Sequence, residues 1–178
     1  SDDLNVQDAV FDKRTLMDLY SLASKGIIDA LGGSICTGKE ANIFRALVGS
    51  RELALKIYRI STSNFNVMQD YLHGDPRFGS VKGTKRAIVA AWTRKEYRNL
   101  MRAEEVGVRV PHPITMKENI LVMDLIGKGD DVAPPLKDVE LDSAEAEQIY
   151  QKIVEYISLL YNQAGLVHAD LSEFNILY

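Results

Sequence analysis

A glycine loop can hold only what the element after it allows. From Gly33 the chain reads G-x-x-x-x-G-K, the spacing of a Walker-type phosphate loop, but Glu40 stands where a Ser or Thr would hold magnesium. A Walker loop also opens a helix, so that the helix N-terminus faces the phosphates. Here two β-favouring runs come next instead, ANIFRALV (41–48) and ELALKIYR (52–59), joined by the turn-like Gly49-Ser50-Arg51. The expected unit is therefore a glycine loop opening into an antiparallel hairpin.

Helical and strand patterns alternate around that hairpin. KRTLMDLYSLASKGIIDAL (13–31) sets Leu16, Leu19, Tyr20, Ala23, Ile27 and Leu31 near helical spacing, interrupted by Gly26. It predicts two short helices within an N-terminal helical segment, 1–31, that packs on the sheet. Residues 60–85, rich in Ser, Asn, Gly and charge, predict a mobile loop with one helical turn near Val67–Leu72. A helix over Arg86–Val106 carries Trp92, Glu96, Leu100 and Ala103 on one face, with Gly107 placed to end it. VPHPITMKENILVMDLIG (110–127) predicts a second hairpin turning at Glu118-Asn119, and a linker with Pro134-Pro135 comes after it. Asp142 and Glu145 form a capping pair for a helix striped by Ile149, Ile153, Val154, Ile157, Leu160 and Tyr161 and ending at Gly165.

Composition narrows the class. With 178 residues, 46% of them hydrophobic, the chain can bury one core or two small lobes. A net charge of -4 excludes a polycation that coats nucleic acid, although local patches remain open. The single Cys36 excludes an internal disulfide framework and leaves no cysteine cluster for zinc, which fits a reducing compartment. No run approaches the ~20 apolar residues of a membrane span, and the N-terminus is polar and acidic, so a cytosolic protein without a membrane partner is expected.

The segment LVHADLSEFNILY (166–178) carries the chemistry. His168, Asp170 and Asn175 have the spacing H-x-D-x-x-x-x-N, that of the catalytic loop of protein-kinase-like phosphotransferases. Phosphoryl transfer needs an aspartate to accept the proton of, or orient, an attacking hydroxyl, and an oxygen ligand for magnesium on the phosphates. Asp170 and Asn175 supply the two side chains from one short loop. The bland alternative is a strand ending in a capped polar loop.

Two further residues sharpen the choice. In Ala54-Leu55-Lys56, Ala54 and Lys56 share one face of a strand, so the small residue can abut adenine while the lysine reaches phosphate. A strand lysine is more often part of a solvated face, but this one follows a glycine loop at the right interval. Glu96 is the only acid between Arg77 and Arg102, a span with eight basic residues, and it lies on the apolar face of its helix. An inward acid needs a cation, and Lys56 supplies one. The alternative is a surface pair with a neighbouring arginine. Met123, where a strand ends, together with Asp124 to Ile126, has the place of a hinge whose backbone would face adenine; the alternative is any buried hairpin strand leaving a core.

TGKEANIF, LALKIY, KEYRNL, MDLIG and HADLSEFNILY, in that order, closely resemble the RIO family of atypical protein kinases, most of all its first subfamily. The resemblance covers about residues 15–178. It implies an α+β, two-lobed protein-kinase-like fold: an antiparallel N-lobe sheet with a C helix over 32–126, then the hinge linker and the start of a helical C-lobe, here incomplete, over 127–178. It also implies ATP with Mg2+, with Mn2+ as an alternative ion, and phosphorylation of serines in proteins or in the chain itself. Association with the maturing small ribosomal subunit and its RNA is implied too. On this resemblance Thr37, Gly38 and Lys39 form the bend over the phosphates, the Walker match is coincidental, and magnesium is held by the catalytic loop.

Three departures from the kinase pattern carry expectations. Ala169 replaces the arginine of H-R-D, which removes the partner of an activation-loop phosphate. Ser172 stands where conventional serine/threonine kinases have a phosphate-neutralising lysine, so Lys39 or the metal alone must serve and turnover is expected to be slow. Tyr178 precedes any D-F-G-like aspartate, so a family member is expected to continue through that residue and further helices; a chain complete at Tyr178 is expected to bind nucleotide weakly. The basic stretch Arg77, Lys82, Lys85, Arg86, Arg94, Lys95, Arg98 and Arg102 reads equally as an RNA face or a solvated helix surface. Ser61, Thr62, Ser63 and Ser80 are candidate self-phosphorylation sites, Ser80 first among them. Other functions open to the sequence are an ATP-gated assembly factor acting on RNA and a small-molecule phosphotransferase of the aminoglycoside or choline kinase type.

Overall fold

The computed structural model describes residues 10–61, 64–73, 84–128 and 131–178. These form two compact units: the residues through Arg98 with Pro113–Leu125, and Asn99–His112 with Ile126–Tyr178. No helix among the described residues is long and apolar enough to cross a membrane.

The first unit is built on a five-stranded antiparallel sheet. Its strands are β1 (Ala30–Thr37), β2 (Ala41–Val48), β3 (Arg51–Tyr58), β4 (Pro113–Lys117) and β5 (Ile120–Asp124), in the order β1-β2-β3-β5-β4. Both expected hairpins are present, the second turning at Glu118, whose φ of 51° is left-handed. Central β3 alternates strictly. Leu53, Leu55 and Ile57 point into a core with Leu19, Leu22 and Ile28, whereas Tyr58 belongs to a core with Met68, Leu72, Ile88 and Val89. Helices therefore cover both faces of the sheet, and the period of two decides which residues of β3 meet which helix.

Helix α1 (Lys13–Ser24) supplies the first cover. The expected pair of short helices is corrected to this single one. Gly26, at φ 69°, closes it with hydrogen bonds from Gly26 N–H to Ala23 O (2.9 Å) and from Ile27 N–H to Leu22 O (3.0 Å). The chain then extends, and Ala30 and Leu31, expected as helical, open β1. The glycine stretch from Gly32 is for the most part also strand rather than loop, because Gly32 and Gly33 lie within β1 against β2. Only Gly38 to Glu40 form the turn.

Helices α2 (Phe65–His73) and α3 (Lys85–Glu105) supply the second cover. α2 is longer than the single turn expected inside the loop 60–85. Met68 and Leu72 give it a buried edge against Ile88 and Val89, and Asn64 accepts from Val67 N–H at its start (3.4 Å). α3 ends at Gly107, where Val108 N–H reaches Ala103 O (3.0 Å).

In the second unit a short ribbon, β6 (Gly127–Lys128) with β7 (Asp131–Val132), leads to helix α4 (Ser143–Leu159). The capping box is formed as expected: Asp142 accepts from Ala144 and Glu145 N–H (2.8 and 2.9 Å), and Glu145 accepts from Asp142 N–H (3.0 Å). A π-helical turn, Leu160–Ala164, precedes left-handed Gly165. No residue of α4 is buried, and of the expected apolar stripe Val154 and Ile157 in α4 and Tyr161 in the π-helical turn stay exposed.

Candidate active site

In the first unit the strand lysine and the helix acid meet. Lys56 Nζ donates to Glu96 Oε1 at 2.8 Å, and each side chain is about a quarter exposed. The surface-pair alternative for Glu96 is not what the fold adopts. The carboxylate is shared: Tyr58, on the same face of β3, donates its hydroxyl to Glu96 Oε2, and Lys56 Nζ lies 5.1 Å from the Tyr58 ring centre. Burial works to lower the Lys56 pKa, but the charge of Glu96, the Tyr58 oxygen and their hydrogen bonds outweigh it, and the ammonium is held above its ordinary range. Burial and the Glu96 charge raise Tyr58, against the opposing pull of Lys56. At neutral pH the lysine is a cation and the tyrosine a donor.

Sequence reasoning missed Tyr58. The signal was available in Ala54, Lys56 and Tyr58, spaced by two along one strand face.

The glycine turn is tied from below. Gly38 N–H donates to Ala41 O (2.9 Å), and a Cβ on Gly38 would sit 3.0 Å from that oxygen. Thr37 Oγ1 is 3.5 Å from both Ser34 Oγ and Asn42 Nδ2. Asn42, 1% exposed, accepts at Oδ1 from Arg59 Nε (3.0 Å) and Nη2 (2.7 Å). Glu40 accepts Asn64 N–H through its side chain (3.1 Å) and Arg59 N–H through its carbonyl (2.9 Å). Glu40 thus fastens the turn to the segment after β3, a role foreign to a Walker loop. Lys39 lies in the turn and is exposed.

On β5, Met123 pairs with Ala54, and both are buried. The Asp124 carboxylate is engaged by Arg51, Nε at 3.0 Å and Nη2 at 2.5 Å. In the second unit, the Ile126 carbonyl accepts from Ala133 N–H (2.9 Å).

The H-x-D loop is exposed and locally braced. Asn175 Nδ2 donates to Asp170 O (2.6 Å) and Asn175 N–H to Ser172 O (3.0 Å), so the five-residue span closes on itself. The linker holds it from outside through Leu136 N–H to Ile176 O (2.7 Å) and Tyr178 N–H to Pro134 O (3.0 Å). Ala169 takes a left-handed φ of 67°, a conformation an alanine adopts only under constraint. With Nδ2 used on the Asp170 carbonyl, the amide oxygen is the acceptor that the Asn175 side chain has left to offer. Taken each in its own unit, Asp170 and Asn175 offer hard oxygens of the kind magnesium takes, and Lys56 a cation of the kind phosphate takes.

The RIO domain family matches residues 42–178, which include both the Lys56 strand and the H-x-D loop. The chain belongs to the RIO family. This RIO chain is 48% identical over 178 residues to the RIO-type serine/threonine-protein kinase Rio1 of Haloferax volcanii, covering 99% of itself and 60% of that protein. It is 42% identical over 174 residues to the serine/threonine-protein kinase RIO1 of Homo sapiens, covering 96% of itself and 31% of that protein. Among solved structures, the Rio2 kinase from Chaetomium thermophilum matches with a TM-score of 0.68 at 26% identity, over 90% of the RIO chain and 46% of that one. The Rio2 kinase-ADP/Mg2+-phosphoaspartate complex matches with a TM-score of 0.67 at 25% identity, over 90% and 44%. The fold is thus α+β and kinase-like, as expected, and the RIO chain spans between 31% and 60% of the length of these relatives.

The basic stretch of the RIO chain is partly committed. Arg86 binds Asp12, Lys95 donates to Tyr71 O (3.0 Å), Lys85 lies 5.0 Å from the Phe65 ring centre, and Arg102 binds Ala164 O. Arg77 and Lys82, like Thr62, Ser63 and Ser80, lie outside the described residues.

Proposed function

We propose that this RIO domain carries the ATP- and magnesium-dependent phosphotransfer centre of a serine-directed protein kinase that also modifies itself. The Lys56–Glu96 ion pair carries the proposal. Residues 40 apart in sequence bring a partly buried cation to the strand beside a glycine turn, where phosphate neutralisation needs it. Bound ATP supplies the phosphoryl group, and Mg2+ neutralises charge on it. Lys56 faces the phosphates, Glu96 holds Lys56, and Thr37, Gly38 and Lys39 cover them. Met123, Asp124 and Ile126 line the adenine side. Asp170 accepts the proton of, or orients, the attacking serine hydroxyl, and Asn175 ligates the metal. Serines of the 60–85 segment, Ser80 first, are the intramolecular acceptors.

The test uses the natural protein carrying this chain, magnesium and γ-labelled ATP, beside Asp170→Asn. Label becoming covalent on serine in the wild type and lost in the variant is the expected result; equal labelling of both sinks the proposal. Association with the maturing small ribosomal subunit belongs to the same proposal through the family, and co-sedimentation with precursor particles tests it. Ser172, in place of a phosphate-neutralising lysine, favours as a second reading a slow ATP-driven assembly switch. Phosphate release stimulated by ribosomal RNA without covalent label would select that reading.

A further inference from the structure

Glu96 is asked to hold Lys56 still, yet a glutamate has three side-chain torsions, and the last is broad. One hydrogen bond to a lysine leaves its carboxylate free to rotate. The second oxygen is where this chain differs from a simple ion pair. Tyr58 is 4% exposed and sits two residues beyond Lys56 on the same strand face, with its hydroxyl on Glu96 Oε2.

The backbone that carries the ring has a firm base. Tyr58 N–H donates to Asn119 O (2.9 Å), and Asn119 Nδ2 donates back to Tyr58 O (2.8 Å). Asn119 is fully buried, and the same Nδ2 also donates to Thr15 Oγ1 of α1 (3.1 Å), 104 residues away. Thr15 and Asn119 thus fix the Tyr58 backbone, and the ring carries its hydroxyl from that anchored backbone to Glu96 and so to Lys56. We propose that Tyr58 is a positioning residue: its hydroxyl fixes one oxygen of Glu96 so that the other stays on Lys56.

The rival account is that Tyr58 is core filling whose hydroxyl merely found a partner. Phenylalanine keeps the ring packing against its neighbours and removes only the donor, so it separates the two. The proposal rests on Lys56 being the phosphate-facing lysine for its functional meaning, but the primary readout needs no activity.

The natural protein is exposed at one fixed pH to an amine-acylating reagent. The rate at Lys56 is read by mass spectrometry against exposed Lys13. Loss of a fixed Glu96 charge releases free amine at Lys56, and one pKa unit is tenfold in that fraction. Tyr58→Phe is expected to speed Lys56 acylation about three- to tenfold, Glu96→Gln at least as much, and the double variant no more than Glu96→Gln alone. A wild-type rate in Tyr58→Phe, or a double variant faster than Glu96→Gln by the full Tyr58→Phe factor, overturns the inference. If Tyr58→Phe is destabilised, the same rates are read well below its melting transition, where the expectation is unchanged. In parallel, the kcat of labelling from ATP should fall in Tyr58→Phe but not further when Glu96→Gln is already present. A wild type that transfers no phosphoryl while the acylation pattern holds defeats the kinase proposal and leaves the positioning role standing.

Discussion

The Lys56 cluster and the Asp170 loop are built by opposite means. Lys56, Glu96 and Tyr58 come from a strand and a helix and interact side chain to side chain in a largely buried place. Asp170 and Asn175 come from one short exposed loop and are shaped by backbone contacts, Asn175 Nδ2 to Asp170 O and the linker bonds outside. The first set is preorganised by packing, so disturbing it should cost both stability and chemistry. The second is local, so its side chains can be changed with little effect on the fold.

The largest expected effect tests that separation directly. Asp170→Asn should lower phosphoryl transfer by about 10²–10⁴-fold, the usual worth of a general base, while the Tm stays at the wild-type value. A large fall in Tm would break the comparison, because the loop would then be structural. Lys56→Met should cost about 10²–10³-fold in transfer through lost charge stabilisation and, unlike Asp170→Asn, should also alter the Tm by leaving Glu96 and the Tyr58 hydroxyl without their cation. Denaturant melts beside single-turnover assays decide it.

Asn119→Ala sharpens the other side of the comparison. Removing a buried amide leaves Tyr58 O and Thr15 Oγ1 without that donor, and about 1–3 kcal/mol of stability should be lost in urea unfolding. No substitution within 170–175 should match it. A smaller effect concerns the anchor of α1 on α3. Asp12 caps α1 by accepting Thr15 N–H (2.8 Å) and binds Arg86. Burial pushes its pKa up, but the Thr15 bonds and Arg86 outweigh that and lower it below 3.8. A carboxyl lowered on folding contributes stability that is complete above its unfolded pKa and lost as pH falls through the folded one. Asp12→Asn should therefore be less stable than wild type at neutral pH, and the two should converge as the pH drops below about 4. The carboxylate is partly exposed, so the increment is small.

The smallest effect lies in the loop itself. Ala169→Gly removes the cost of a left-handed alanine but loosens the unfolded chain, so the stability should rise by roughly 0.5 kcal/mol at most. Labelling activity should stay within about twofold, a free-energy difference of similar size.

Several features were legible because they depend on neighbours in sequence. The Asp142–Glu145 capping box, the stop at Gly107 and the turn at Glu118-Asn119 come from local hydrogen bonding and glycine or turn chemistry. The H-x-D loop was equally legible, because five residues contain it. The chain by itself also determined the alternation of β3, and hence that Ala54, Lys56 and Tyr58 share a face. What it could not determine was what that face meets. The single α1 in place of two helices, the strand through Gly32 and Gly33, and the length of α2 depended on partners far along the chain. So did the split carboxylate of Glu96. Local patterns fix which side of an element a residue occupies, but the partner of a buried polar group is chosen by packing, since only the folded chain brings residues 40 or 104 positions apart into hydrogen-bond reach.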